Sequence, residues 1–274
     1  MKLQEKLKLV RSEKTALLAT NYYNLETCKG ILLAAKELEQ PVILQLSKSS
    51  IDYMGLKTAV QTGRTLSEEY GVESWLHLDH SGEIELIKKC LDEGFDSIMI
   101  DASDKPFDEN IRITKKVVDL AKNYGANVEA ELGSIPKLGK ELESDKFTKL
   151  DEAKIFVEET GIDALAVAIG TKHGFYKGEP KLDFLRLQEI RQSTDVHLVL
   201  HGGSGIPETS LKKAIELGIS KINVATEIKD IFTKTIKEIV MNTDEIDIRI
   251  IFPDAITAVK KLVLSKLKAI SLKQ

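Results

Sequence analysis

The stretch VHLVLHGGSGIPETSLKKAIELGISKINVA, Val196 to Ala225, holds one complete structural repeat. It opens with a short apolar, β-branched run, Val196 to Leu200, and passes through His201-Gly202-Gly203-Ser204-Gly205 into a segment of helical period, Pro207 to Leu217. Gly218 stands where a helix-terminating glycine is expected, and a second β-branched run, Lys221 to Ala225, follows. Strand, helix and strand in that order make a parallel pair joined by a helical crossover.

The same alternation extends back through the chain. Strand-type runs at Ala16 to Thr20, Pro41 to Ser47, Val72 to Leu78, Ser97 to Ile100, Asn127 to Glu131 and Ala164 to Ile169 bring the total to eight. Helical segments lie between them, among them Glu83 to Glu93, Phe107 to Tyr124, Asp151 to Thr160 and Leu182 to Gln192, with Gly94, Gly125 and Gly161 at the ends of the first three. Eight repeats predict an α/β fold, a closed (β/α)8 TIM barrel rather than an open sheet, and 274 residues match the roughly 250 typical of that barrel. No linker or low-complexity stretch interrupts the series, so residues 1–274 are expected to form a single domain.

Composition narrows the partners. Hydrophobic residues at 42% and charged residues at 30% are an ordinary globular balance, which argues against disorder. The net charge of −4, with Lys and Arg spread along predicted helices, offers no basic stripe, so no nucleic acid partner is expected. No segment approaches the ~20 apolar residues of a membrane span, and no membrane partner is expected either. Met1 to Thr15 lacks the apolar stretch of a signal peptide, and Cys28 and Cys90 fall on predicted helices without Cys-x-x-Cys spacing. A reducing cytoplasm is the plain expectation.

A barrel of this kind carries its active site at the carboxyl-terminal ends of its strands. Those ends present Asn21, Ser47, Asp79 with His80, Asp101, Glu131, Lys172 with His173, His201 to Ser204, and Asn223 to Thr226. His80, His173 and His201 therefore share one rim, and three imidazoles with one open position is the pattern of a catalytic zinc. His77 and His197 sit within strands and read as satisfied surface or core residues. Asp79 is open to three roles: a ligand, a partner that orients an imidazole, or a general acid/base. Asp101 and Glu131 read as solvated rim carboxylates, as a second metal position, or as carboxylates that support the metal ligands from behind. The Gly-rich loop before Pro207 and the Asn223-Val224-Ala225-Thr226 loop each lead into a helix, whose free N–H groups favour a phosphate. Lys172 keeps a Schiff-base mechanism open, whereas Lys221 stands at the wrong end of its strand for one.

Seven ordered stretches carry a family likeness: ATNYYNLET (Ala19 to Thr27), HLDH (His77 to His80), SIMIDAS with KPFDENI downstream (Ser97 to Ile111), VEAELG (Val128 to Gly133), TGIDALAVAIGTKHGFY (Thr160 to Tyr176), LVLHGGSGIP (Leu198 to Pro207) and KINVATEI (Lys221 to Ile228). Together they resemble the metal-dependent (class II) fructose-bisphosphate and tagatose-bisphosphate aldolases over nearly the whole chain. The resemblance implies a lyase that converts a ketose 1,6-bisphosphate to dihydroxyacetone phosphate and glyceraldehyde 3-phosphate and back. It implies Zn²⁺ on His80, His173 and His201, with Asp101 and Glu131 at an alternative metal position and a monovalent cation as a further candidate. Asp79 matches the acid that exchanges a proton with the substrate's C-4 hydroxyl. Gly174, Gly202, Gly203, Ser204, Asn223, Val224, Ala225 and Thr226 match positions that hold dihydroxyacetone phosphate, Asn21 a substrate-contacting asparagine, and Ser47 a residue facing the distal phosphate. The partners implied are small sugar phosphates and further copies of the chain, in a homodimer or homotetramer.

Two departures stand out. Where the resemblance calls for a Gly-Gly-x-Glu-Asp stretch, the chain reads Pro136-Lys137-Leu138-Gly139-Lys140, with Glu141 and Glu143 nearby to take over proton transfer at the triose phosphate carbon. Where it calls for Asp-Pro-Arg-Lys, the chain has Asp247-Ile248-Arg249-Ile250, and Arg249 remains as a phosphate contact across a subunit interface. A helix from Asp254 to Leu267 is expected beyond it. Two other readings of the residues compete with the aldolase: a zinc hydrolase using the same barrel rim, and a sugar-phosphate binder without turnover.

Overall fold

The computed structural model describes residues 1–136 and 146–271. Eight strands form: β1 (Leu17–Asn21), β2 (Val42–Ser47), β3 (Ser74–Ser81), β4 (Ser97–Ile100), β5 (Asn127–Leu132), β6 (Ala164–Val167), β7 (His197–Leu200) and β8 (Ile219–Val224). Each pairs in parallel with its neighbours in sequence, and β8 closes on β1. The result is the expected (β/α)8 TIM barrel. Its strands are buried on both faces because helices cover the outside and the opposite strands fill the inside.

Alternation along each strand sorts the side chains. Leu18, Leu44, Leu76, Ile98, Leu165 and Leu198 turn outward into the main apolar core beneath the helices. Leu17, Ala19, Ile43 and Trp75 share one inner cluster, and Met99, Ala164, Ala166 and Val199 another. Barrel interiors are ordinarily filled by layers of branched apolar side chains. Here Gln45, His77, Asp79, Glu129, Glu131, His201, Lys221 and Asn223 are buried as well. A polar interior of this kind survives only if its groups satisfy one another.

The amino-terminal mouth is closed by α1 (Leu3–Ser12), whose Leu3, Leu7 and Val10 recur at helical spacing and are buried with Leu17, Ala19, Ile43 and Trp75. Trp75 Nε1 donates to the Met1 carbonyl at 3.1 Å, tying the helix to β3. The crossovers are α2 (Leu25–Glu37), α3 (Lys48–Met54), α4 (Leu56–Tyr70), α5 (Ile84–Asp92), α6 (Phe107–Lys122), α7 (Leu150–Thr160), α8 (Phe184–Ser193) and α9 (Glu208–Glu216), followed by α10 (Thr226–Asn242) and α11 (Ile248–Ile270). Among the described residues no helix is long and apolar enough to cross a membrane.

Several boundaries differ from expectation by one or more residues, among them the end of β6 at Val167 rather than Ile169 and the start of β8 at Ile219 rather than Lys221, and two of the shifts have a local reason. α11 begins upstream of Asp254 because the Asp247 carboxylate accepts from the Arg249 N–H at its first turn, and Pro253 is carried inside the helix. β3 continues past Leu78 to Ser81 because its pairing with β4 shifts register between those residues. His80, inside that bulge, has φ of 49°.

Candidate active site

β3, β6 and β7 deliver His80, His173 and His201 to one place at the carboxyl-terminal rim. One ring nitrogen from each lies within 4.8 Å of the others. The His80 ring centroid is 4.9 Å from that of His173 and 4.7 Å from that of His201, both edge to face. His80 occupies the left-handed backbone region, which costs a non-glycine residue about 1–2 kcal/mol, and two contacts hold it there. Its Nδ1 lies 2.9 Å from Asp101 Oδ2 and its Nε2 lies 2.9 Å from His201 Nδ1. His201 turns its other nitrogen, Nε2, to Glu129 Oε1 at 2.8 Å. His173 is placed by its backbone, whose N–H donates to the Pro136 carbonyl at 2.9 Å.

Asp79 stands beside this trio in a network of amides. Its Oδ2 accepts from Asn21 Nδ2 at 2.9 Å and its Oδ1 from Asn223 Nδ2 at 3.5 Å, while Gln45 Nε2 donates to Asn21 Oδ1 at 3.1 Å. Burial by itself raises the Asp79 carboxyl, but the charge of His80 and His201 and the Asn21 donation override it and bring the group down to about 2. For His80 burial acts downward, yet the Asp101 hydrogen bond and the charges of Asp79 and Glu131 carry it up to about 9. Burial and the neighbouring His80 and His201 bring His173 down to about 3. Burial and Asp101 push Glu131 up to about 7.

The donor set fits a divalent cation. Two ring nitrogens facing each other at 2.9 Å need a proton or a cation between them, because the opposite nitrogen of each ring is engaged by a carboxylate. Asp79 and Asp101 bring two buried or half-buried negative charges beside that pair, and a +2 ion balances both. His80, Asp101 and Glu131 form a second group whose ligand atoms lie within 4.8 Å of one another. Among the described residues Glu131 Oε2 and Asn223 Oδ1 are buried without a hydrogen-bond partner. Three imidazoles, two further carboxylates and free acceptor oxygens suit a borderline metal such as zinc.

The opposite wall is built of backbone. A pocket lined by Asn21, Asp79, His173, Gly174, His201, Gly202, Ser204, Asn223, Ala225 and Thr226 opens at the first turn of α10. Ala225 precedes that helix and supplies no side-chain cap of its own; in the first turn the Glu227 N–H donates to Ser204 Oγ at 3.4 Å and the Ile228 N–H to the Ala225 carbonyl at 3.2 Å. Gly202 has φ of 68°, and a Cβ there would run into the Lys172 carbonyl oxygen. Gly203 lies below the pocket, its N–H donating to the Asn223 carbonyl at 2.9 Å. An outer chamber continues from the pocket and adds Tyr23, Ser47, Ser49, Phe175, Lys229, Asp230 and Thr233.

The sequence profile described as "Fructose-bisphosphate aldolase class-II" matches residues 1–274. The chain belongs to the class-II fructose-bisphosphate aldolase family. It is 43% identical over 254 residues to a fructose-bisphosphate aldolase of Geobacillus stearothermophilus, an alignment covering 90% of this chain and 88% of the relative. The YdjI aldolase of Escherichia coli K12, known from a crystal structure, superposes with a TM-score of 0.88 at 34% identity, covering 98% of this chain and 96% of that one. The fructose-bisphosphate aldolase of Campylobacter jejuni shares the fold, with a TM-score of 0.84 at 21% identity over 98% of this chain and 93% of that one. The chain is accordingly an aldolase, a lyase of a family that acts on sugar phosphates.

Within this class-II aldolase most of the rim residues picked from sequence come together, and a few do not. Val224 packs its side chain outward in the main core and reaches the rim only through its carbonyl, which accepts from Thr20 Oγ1 at 2.7 Å. Lys172 points its ammonium over the Tyr176 ring, 5.5 Å from its centroid, and lines neither the pocket nor the outer chamber. Arg249 is 87% exposed at the start of α11 and pairs with Asp247 at 2.7 Å. Lys137 to Lys140, Glu141 and Glu143 lie outside the described residues. Sequence reasoning passed over Glu129, Gln45, Ser103 and Lys229. Ser103 Oγ lies 2.7 Å from Asp101 Oδ1 and 3.1 Å from Glu131 Oε1, joining the two carboxylates. For Glu129 and Gln45 the available signal was alternation, since each stands two residues before a rim residue on the same inner face.

Proposed function

We propose that this aldolase is zinc-dependent and reversibly cleaves a ketose 1,6-bisphosphate, fructose or tagatose 1,6-bisphosphate, to dihydroxyacetone phosphate and glyceraldehyde 3-phosphate. One observation carries the reading: one ring nitrogen from each of three histidines lies within 4.8 Å of the others, and two of those histidines line a single pocket with a buried carboxylate and the amino-terminal start of a long helix. His80, His173 and His201 would hold the zinc, with Asp101 and Glu131 available to a second metal or an alternative position of the first, and a monovalent cation as a further occupant of the site. When bound, zinc supplies a Lewis acid at the carbonyl end of the substrate and lowers the cost of the negative charge that cleavage leaves there.

The chain's own residues divide the remaining work. Asp79, ionised at neutral pH, takes the proton of the C-4 hydroxyl, and that carbon becomes the aldehyde as the C3–C4 bond breaks. The electron pair of the broken bond stays with the other half, and uptake of one proton at C3 completes dihydroxyacetone phosphate. In condensation Asp79 returns the same proton. Asn21 and Asn223 hold the carboxylate in place through the amide donations described above. Gly174, Gly202, Ser204, Ala225 and Thr226 border the triose phosphate, whose anionic end suits the α10 amino terminus, and Gly203 lets the β7 loop lie close on Asn223. The outer chamber, with Ser47 and the Lys229 ammonium, suits the distal phosphate. Arg249, exposed on its own chain, is available to a neighbouring subunit in a homodimer or homotetramer. Residues 1–274 act as one catalytic unit, and two buried unpaired cysteines accord with a reducing cytoplasm.

The test is a cleavage assay on fructose and tagatose 1,6-bisphosphate, each with and without chelator. Cleavage of at least one epimer, lost on metal removal and restored by zinc, is the expected result. Full activity after verified metal removal, or no cleavage of either epimer by the zinc-loaded enzyme, overturns the reading.

A further inference from the structure

Beneath the rim, a chain of buried polar side chains crosses the barrel. Lys221 Nζ on β8 donates to Glu129 Oε2 on β5 at 2.7 Å and reaches His77 Nε2 on β3 at 3.3 Å. His77 Nδ1 meets Ser97 Oγ on β4 at 2.8 Å, and Glu129 Oε1 meets His201 Nε2 on β7 at 2.8 Å. Lys221 and Glu129 are each 2% exposed and His77 is fully buried. Five strands are thus connected through one ammonium, far from solvent and outside the pocket lining.

We propose that the Lys221–Glu129 ion pair is a positioning device that fixes the His201 ring with Nε2–H on Glu129 and so presents Nδ1 to the metal. The inference rests on the zinc reading given above and extends it to two residues that touch neither substrate nor metal. The geometry supplies the reason. An imidazole carrying its proton on Nε2 leaves Nδ1 as a lone pair, and His201 Nδ1 is the atom that faces His80 Nε2 at 2.9 Å. Glu129 selects that tautomer only while it is held as a fixed acceptor. A buried carboxylate facing one imidazole is mobile and poorly compensated unless a cation anchors its other oxygen. Lys221 is that anchor, and His77, with Ser97 accepting from its Nδ1–H, holds the ammonium from the other side. Lys221 is therefore a positioning residue acting through Glu129, in a place where a Schiff-base lysine would be out of reach of substrate.

The experiment is a zinc titration of the metal-stripped full chain, comparing wild type with Glu129→Gln, Lys221→Met and the double variant. Each single change is expected to weaken zinc binding by about 10–100-fold. The double change, which removes both charges together, is expected to weaken zinc binding about as much as one single change rather than by the product of the two, because the two residues act as one unit. If either single variant fails to fold, the double variant, free of an unpaired buried charge, carries the measurement. A second readout needs no variant: in zinc-loaded wild-type protein with ¹⁵N-labelled histidine, the His201 ring should show its proton on Nε2. Zinc affinities of the variants within threefold of wild type, or an Nδ1–H tautomer at His201, overturn the proposal while leaving the aldolase reading intact. A wild-type chain that binds no zinc overturns both.

Discussion

His80 Nε2 and His201 Nδ1 face each other at 2.9 Å, and each ring is held from behind by a carboxylate, Asp101 on one side and Glu129 on the other. Hydrogen bonds from behind orient both rings, and ligands oriented in that way reduce what binding must spend on ordering them. Asp79 adjoins the pair without belonging to either group of converging ligand atoms.

That separation makes a sharp prediction for Asp79→Asn. Removing the proton acceptor while keeping the shape and the amide contacts should lower kcat by about 10²–10⁴-fold. Zinc stoichiometry, read by metal analysis, should stay at the wild-type value. Loss of zinc together with activity would make Asp79 a ligand instead.

Lys229 stands in the outer chamber with its ammonium 5.4 Å from the centroid of the Tyr23 ring. Lys229→Ala should raise KM for the bisphosphate about tenfold, as expected for one charge-assisted contact, and leave kinetics with the corresponding ketose 1-phosphate unchanged. Equal losses on both substrates would place the lysine elsewhere in the reaction.

At Gly202 the backbone is left-handed and packed against Lys172. Gly202→Ala combines an unfavourable φ with a clash against main chain, and a destabilisation of about 3 kcal/mol is expected from those two causes. Urea unfolding measures it, and affinity for dihydroxyacetone phosphate should fall in parallel.

His197, 3% exposed in the lower barrel, is pulled down to about 4 by burial first and by Arg11, Arg191 and Lys8 after it. Its folded value lies below the roughly 6.5 of an unfolded histidine, so the unfolded chain binds the proton more readily. The stability linked to this neutral ring is fully present above that unfolded value and is lost as pH falls toward 4. His197→Gln should remove about 3 kcal/mol of the wild-type change in unfolding free energy across that pH range. An unchanged slope would show that the ring does not titrate across folding.

Most of the barrel and half of its chemistry were legible from pattern. Runs such as Ala164 to Ile169 are too short and too β-branched for helix, and the glycines at Gly94 and Gly161 end helices wherever they are read. The three rim histidines could be brought together because strand ends share a rim whatever the register. Glu129 could not be paired with Lys221, since that contact spans ninety-two residues and depends on register across the barrel. The bulge that gives His80 its φ of 49° leaves no mark in composition, because it arises from pairing with β4. Lys172, at a strand end by sequence, was turned aside by its own loop, where its backbone N–H takes the Tyr176 hydroxyl as acceptor at 3.0 Å.

The leading helix has a bearing on chemistry at the opposite mouth. With Leu3, Leu7 and Val10 seated under Trp75, the barrel is a blind shaft rather than a bore open at both ends. The ammonium and carboxylate lodged partway down it attract each other through protein instead of through water, and their grip is strong for that reason. A surface feature of ten residues at the very start of the chain thereby acts as electrical insulation for a histidine two hundred positions away.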